Sequence, residues 1–375
     1  QDADALLALA DGHVKIVAPE VVAEYGDLRT APVIGTGPWI WQNTDSVQGM
    51  EFIRNADYFE GGLPFLDQLN VTVMHADPLA NSPGSIALDK VAAFKAGLVD
   101  VLSVGPSEWD MVRKNNSDFQ SVVSRKSGSG IVLALNAQMP NLQETAVRQA
   151  IFQAVDPWDY LDTVWSGQGF ASVGIPVRES DWLLERQEMR QNFFADPGKA
   201  RQLLIDSGQK LPVDLDITVR IERTGGENLA LEERLMADLT AVGFNPELRR
   251  MNPVQFNDLV MGPAREFQLA VGAVPPTSTT NSYLFGLLHS QGRWNLAGHE
   301  DTQLDTMIEQ QSAEFDDTAR REQVVEIQRR VLDQAYLFSP VTAASRWVFS
   351  SDLKGFEPNT ALSEYNFWSR TWLDR

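Results

Sequence analysis

Residues Ile131 to Leu135 read Ile-Val-Leu-Ala-Leu, an unbroken apolar run between Gly130 and Asn136. Such a run suits a strand buried on both faces. Two other segments alternate apolar and polar residues and read as half-buried strands: Leu69 to Val73 and Leu215 to Ile221. Helical periods lie between them. From Glu144 to Val155, the residues Val147, Ile151 and Val155 recur every four positions. Asp156 is then placed to N-cap a second helix, with Pro157 at its first position and Gly167 as its stop. Glu227 to Val242 carries Leu231, Leu235 and Leu239 on one stripe, with Gly243 as the C-terminal stop. Asp317 to Ala335 carries Val324, Ile327 and Val331 on one face, with Pro340 beyond its end. Strands mixed with long helices indicate an α/β or α+β chain.

At 375 residues the chain is long enough for two or more domains. No apolar run approaches the roughly 18–20 residues that span a bilayer. The start, Gln1-Asp2-Ala3-Asp4, has no basic or apolar region of a signal peptide, so an export signal is expected to be cleaved or to lie outside this sequence. With 51 acids against 31 bases the net charge is −20, which argues against nucleic acid and against an anionic membrane surface as partners. The same charge favours a soluble monomer. Cysteine is absent, which removes disulfides, thiol catalysis and cysteine metal sites and leaves the compartment open. Ten Trp and 18 Phe supply a core and can also line a ligand cleft.

Signatures of catalysis are missing: there is no phosphate-binding loop, no nucleophile elbow, no His-Glu-x-x-His and no dinucleotide fingerprint. His13, His75, His289 and His299 are scattered. The one close His–carboxylate pair, His75 with Asp77, reads better as a strand-end loop than as a metal site. Asp316-Asp317 and Glu232-Glu233 read as solvated acidic faces. No cofactor is expected. A carboxylate pair needs no local motif, so a hydrolase stays open as an alternative.

Several segments in order carry a family resemblance. They are Gly35-Thr36-Gly37-Pro38-Trp39; Arg54-Asn55-Ala56-Asp57-Tyr58-Phe59 with Gly62, Pro64 and Leu66-Asp67; and Phe94 to Asp100. Further on come Leu135-Asn136 followed by Val147-Arg148-Gln149-Ala150-Ile151 and Ala154-Val155-Asp156; Gly167-Gln168-Gly169 with Gly174-Ile175-Pro176; Ala200 to Gly208; Leu239 to Phe244; and Asn295 with Asp305. Together they resemble the family 5 extracellular solute-binding proteins, the oligopeptide, dipeptide and nickel-binding group that serves ABC importers. Most of these motifs read as scaffold: Gly35 and Gly37 for a positive-φ turn, Arg148 for a pair with a carboxylate across its lobe.

The resemblance implies an α/β, two-lobed periplasmic-binding-protein-like fold of class II type. The N-terminal lobe is expected from residues 1–133 plus 349–375, and the C-terminal lobe from 134–348. The family's first strand and a small domain precede the part that aligns, so the first lobe is expected to be incomplete. It would then have a bare sheet edge or be completed by a separate N-terminal segment. A small-molecule ligand and a membrane permease are the implied partners, in a periplasmic or extracellular setting, membrane-associated through the transporter. Ligand contacts are expected from Arg223, Thr277, Ser278, Asn281, Tyr283, Trp294 and Asn295. For Trp294 core packing, and for Arg223 a surface salt bridge, remain alternatives. Peptide binders of the family hold the ligand ammonium with an aspartate in an aromatic-x-Asp-Tyr motif. Here Pro276 or Thr277 stands in its place, and a buried ammonium would lack a counter-charge. Hydroxyls and amides beside aromatics suit a neutral polyol or sugar-like ligand, and Arg223 leaves room for a carboxylate or phosphate. An oligosaccharide-like, opine-like or modified-peptide solute is the expected ligand. A ligand-sensing domain of a regulator is the other alternative.

Overall fold

The apolar run is a strand, β1 (Ile131–Leu135), with four of its five residues buried. It lies third in a six-stranded sheet ordered β2-β6-β1-β5-β3-β4. The other strands are β2 (Phe170–Ser172), β3 (Val213–Arg220), β4 (Phe244–Met251), β5 (Leu269–Ala273) and β6 (Leu337–Thr342). β3 runs parallel to β4 and β5, whereas β1 is antiparallel to β5 and β6, and β6 to β2. The coordinates are a computed structural model. It describes residues 2–9, 14, 16–28, 31–45, 49–72, 84–114, 118–124, 130–177, 180–221, 227–263, 265–273, 277, 279–342, 345–358 and 366–375.

Helices pack on this sheet as their periods require. α1 (Thr145–Ala154) buries Val147, Ala150 and Ile151 completely. Asp156 caps α2 (Pro157–Val164) by accepting from the backbone N–H groups of Trp158 and Asp159 at 3.1 and 3.2 Å. α3 (Pro197–Asp206) follows and packs on α1. α4 (Glu227–Val242) places Leu231, Leu235 and Leu239 in the core, and Gly243 ends it at φ +119°. α5 (Thr302–Ser312) and α6 (Asp317–Asp333) pack on each other, and Val324, Ile327 and Val331 of α6 are fully buried. Phe152, Phe194 and Phe338 meet at centroid distances of 4.7–5.5 Å within one continuous core.

Two compact units result: Gln1–Ala8 with Arg125–Ala344, called unit 1, and Leu9–Ser124 with Ser345–Arg375, called unit 2. The division departs from the expected boundaries at 133/134 and 348/349. β1 is the centre of unit 1's sheet, so the chain has entered that unit before Ile131. The strand Ser345–Ser350 is already the middle of a unit 2 sheet, antiparallel to Val101–Val104 and Phe119–Ser124. Residues 2–8 lie with unit 1 rather than with the lobe they precede.

Unit 2 is built from separate small sheets. Trp39–Asp45, Gly49–Arg54 and Gln68–Val71 form an antiparallel meander, and Leu353–Lys354 pairs with Trp372–Leu373. The first two family motifs meet here. Asn55 donates its side-chain Nδ2 to Gly37 O at 2.8 Å and its backbone N–H to Pro38 O at 2.9 Å. Gly35 and Gly37 do not take the positive φ expected of them, and a Cβ at either would meet nothing within 4 Å. Their turn is held by Asn55 instead.

Two further readings are corrected. Arg148 is 3% exposed, and its guanidinium donates to the carbonyls of Leu142, Gln143 and Gln334 and to Thr145 Oγ1. It serves helix-end carbonyls rather than a carboxylate, and desolvation lowers its pKa. Glu232 is not on a solvated face: it is 5% exposed and pairs with Arg250 at 2.6 Å. Asp316 and Asp317 are exposed, as expected, and Asp316 also caps α6 by accepting from Ala319 N–H. Among the described residues, no helix is long and apolar enough to cross a membrane.

Candidate ligand site at one edge of the unit 1 sheet

The strand pairing places the start of β1, the start of β2 and the ends of β3, β5 and β6 along one edge of the sheet. Ile131 faces Ala273 and Val341, and Thr342 faces Phe170. Ligands of open α/β sheets gather at the carboxyl ends of parallel strands. Here the parallel strands are β3, β4 and β5, and β3 and β5 are followed by the segments 222–226 and 274–278.

The edge is shaped by backbone approach. A Cβ on Gly272 would stand 2.9 Å from Arg220 Cβ and 2.9 Å from a Phe256 ring carbon. Glycine is therefore required at this point of β5. The recess beside it is lined by Ile131, Val219, Arg220, Leu231, Glu232 and Val271. Glycine inside Leu-Ala-Val-Gly-Ala was the available sequence signal for this crowding.

The seven residues expected to bind ligand separate. Arg223 and Ser278 lie outside the described residues, as do His13, His75 and Asp77. Thr277 follows β5 at the edge, and its buried Oγ1 meets no hydrogen-bond partner among the described residues. Asn281 is tied inward: its N–H donates to Asp4 Oδ2 at 2.8 Å and its Oδ1 accepts from Gln311 Nε2 at 3.0 Å.

Tyr283 is a correction. It is fully buried, its OH donates to Val173 O at 2.5 Å, and burial pushes its pKa up. A Cβ on Gly174, at φ +77°, would meet that hydroxyl at 2.9 Å. Thr280 donates to Pro176 O at 2.6 Å. Thr280 and Tyr283 thus clamp the Gly174-Ile175-Pro176 loop and leave no face of Tyr283 for a ligand.

Trp294 and Asn295 are the other correction, because they sit at the opposite edge. Ala137 N–H donates to Ala297 O, and Gly298 packs on Asn136 Oδ1, both just past the Leu135 end of β1. Asn295 is 3% exposed and donates to Ser290 O and His299 O. Trp294 packs against Gly286, where a Cβ would meet its ring at 2.9 Å. Among the described residues, no group of three His, Cys, Asp or Glu is arranged to hold a metal ion.

A family model described as "Bacterial extracellular solute-binding proteins, family 5 Middle" matches residues 2–295. The chain belongs to this family of solute-binding proteins. Among curated relatives, "Heme-binding protein A" of Haemophilus influenzae is 24% identical over 307 residues, covering 80% of this chain and 51% of the relative. "Probable di/tripeptide-binding protein 5" of Pseudomonas aeruginosa is 30% identical over 260 residues, 66% of this chain and 45% of the relative. The chain therefore spans about half the length of these relatives. Among solved structures, AgaA of A. tumefaciens R10 in complex with agropinic acid superposes with a TM-score of 0.78 at 17% identity. That match covers all of this chain and 74% of AgaA. The likeness establishes the periplasmic-binding-protein fold.

In this solute-binding protein the edge carries the Thr277 hydroxyl. In sequence Thr277 and Ser278 follow β5, where the resemblance gives the peptide-binding members an acid. Glu232 is the buried acid lining the recess, and Arg250 neutralises it. Of the residues expected between 277 and 295, Asn281, Tyr283 and Asn295 serve the interior.

Proposed function

We propose that this chain is the ligand-holding part of an extracytoplasmic binding protein that delivers a small organic solute to the membrane permease of an ABC importer, without chemical turnover. The setting is periplasmic or extracellular, and membrane association runs through the transporter. Family membership supports the class. For the ligand, the supporting observation is the buried Thr277 hydroxyl at the carboxyl edge of the sheet, which has no hydrogen-bond partner among the described residues. A buried hydroxyl costs free energy unless a partner satisfies it, and a hydroxyl or amide of a bound solute would do so. Neutral polyol, sugar-like or opine-like ligands and modified peptides fit this chemistry. A free peptide ammonium does not, since Pro276-Thr277 offers it no carboxylate.

Calorimetric titration with unmodified di- and tripeptides is expected to give no saturable heat, whereas a sugar or opine panel should yield a binder. Thr277→Val should then weaken that binder roughly 5-fold or more with an unchanged melting curve, the loss of one hydrogen bond worth about 1 kcal/mol. Arg223→Ala should also act on affinity. Trp294→Ala should act on melting temperature alone, since that ring packs at the far edge. Micromolar binding of peptides that depends on a free amino group would overturn the ligand class. Product formation from any bound solute would favour the hydrolase reading instead.

A further inference from the structure

Residues 2–8 belong to unit 1, although unit 2 begins at Leu9. The helix Ala5–Leu9 buries none of its side chains: Leu6 is 82% exposed and Leu9 67%. An apolar face therefore does not dock this segment. Asp4, by contrast, is 1% exposed.

The carboxylate of Asp4 sits in a socket made by unit 1. Arg320 donates from Nη1 to Oδ1 at 2.7 Å and from Nη2 to Oδ2 at 2.8 Å, the two-pronged geometry of a guanidinium–carboxylate pair. Asn281 N–H adds a third donor to Oδ2 at 2.8 Å. The socket is itself ordered from behind. Gln311, fully buried, accepts Nε and Nη2 of Arg320 on its Oε1, both at 3.2 Å, and donates to Asn281 Oδ1. The guanidinium also lies 5.7 Å from the Trp182 ring centroid.

Arg320 is 1% exposed. A guanidinium so enclosed, with its paired donors aimed at one point, requires an anion there, because an unpaired buried charge is strongly unfavourable. The parts that shape the socket come from α5, α6 and the turn at Asn281, and Ala3 N–H also donates to Ser312 O at the end of α5 at 2.8 Å. We propose that Arg320, Gln311 and Asn281 form a carboxylate-binding site on unit 1. In this chain Asp4 fills it, and small external carboxylates enter it when the Asp4 side chain is removed. Residues 2–8 then act as a strap whose side-chain latch is this carboxylate, beside the backbone bond from Ala3 to Ser312.

The Asp4→Ala variant of this chain tests this. Leaving Arg320 unpaired should lower the melting temperature of unit 1 by roughly 6–20 °C. Formate or acetate should restore most of that loss along a saturable curve, while sodium chloride at equal ionic strength should not. Adding Arg320→Met should abolish the response to formate. If Asp4→Ala does not fold in plain buffer, recovery of folded protein in formate reads the same property. In Asp4→Asn, backbone amides of residues 2–8 should exchange faster than in the parent chain. A wild-type melt for Asp4→Ala, or no rescue by formate, or equal rescue after Arg320→Met, would each overturn the assignment.

Discussion

Arg148→Ala is expected to destabilise unit 1 by about 3–5 kcal/mol, the range for breaking a buried charged network. That is a fall in melting temperature of roughly 6–20 °C. The side chain closes α1 against the end of α6: Nε and Nη2 reach Gln334 O at 3.0 and 2.9 Å, and Nη1 reaches Leu142 O and Gln143 O at 2.7 and 2.9 Å. Truncation leaves those three carbonyls facing a hole beside the Tyr336 ring, which the guanidinium overlies at 5.5 Å. Each buried acceptor without a donor costs about 1–3 kcal/mol. Lysine cannot replace the planar fork, so Arg148→Lys should recover only part of the loss. Arg249→Ala is the control. That residue pairs with Asp216 at 2.5 Å but is about half exposed, so its removal should cost only about 0–1 kcal/mol. Denaturant titration of the three variants checks the order. If Arg148→Ala and Arg249→Ala fall within 1 kcal/mol of each other, the buried fork is not what joins the two helices.

The elements that could be read from the chain are those whose signal is local. The leucine stripe of α4 and its glycine stop gave the bounds Glu227–Val242 that the structure shows, and the Asp156-Pro157 start of α2 behaves as capping chemistry requires. β1 was legible because a strand covered on both faces has no polar positions to spare. The candidate site was not, for a different reason. Hydroxyls and amides in 277–295 look alike whether they await a ligand or clamp a neighbouring loop. Thr280 and Tyr283 turn to Pro176 and Val173, more than 100 residues away in sequence. Asn295 follows Thr277 closely, yet β1 separates the edges on which they sit. Asp4 and Arg320 are 316 residues apart, and nothing near either one announces the other. Arg148 was read as an ion-pair partner because charge suggests opposite charge; helix-end carbonyls are an equally good acceptor set, and periodicity does not distinguish them.

Unit 2 is expected to unfold well before unit 1 when the whole chain is heated. Hydrophobic burial is the main favourable term in folding, at roughly 25 cal/mol per Å², and the two units differ widely in it. The described core of unit 1 runs unbroken from Val132 to Val341. In unit 2 the described buried clusters are small: Val91, Phe94, Val104, Val112 and Val348 in one, and Phe349, Leu353 and Phe356 in the other. Apolar side chains of this unit also face solvent, including Ile16 at 97%, Leu98 at 77%, Phe59 at 75% and Val33 at 71% exposure. The sheets are short, and a small sheet with little apolar cover opens locally at low free energy. Calorimetry of the intact chain should therefore resolve two transitions, the lower one carrying the smaller enthalpy. Hydrogen exchange read by mass spectrometry should assign the lower transition to unit 2. Amides of β1, β3 and β5 should exchange on the order of 100-fold more slowly than those of the Trp39–Val71 meander. Arg148→Ala then makes the assignment independent of exchange data, since it should move the upper transition and leave the lower in place. One cooperative transition, with equal protection in both units, would mean that unit 2 draws its stability from unit 1 and has no separate melting of its own.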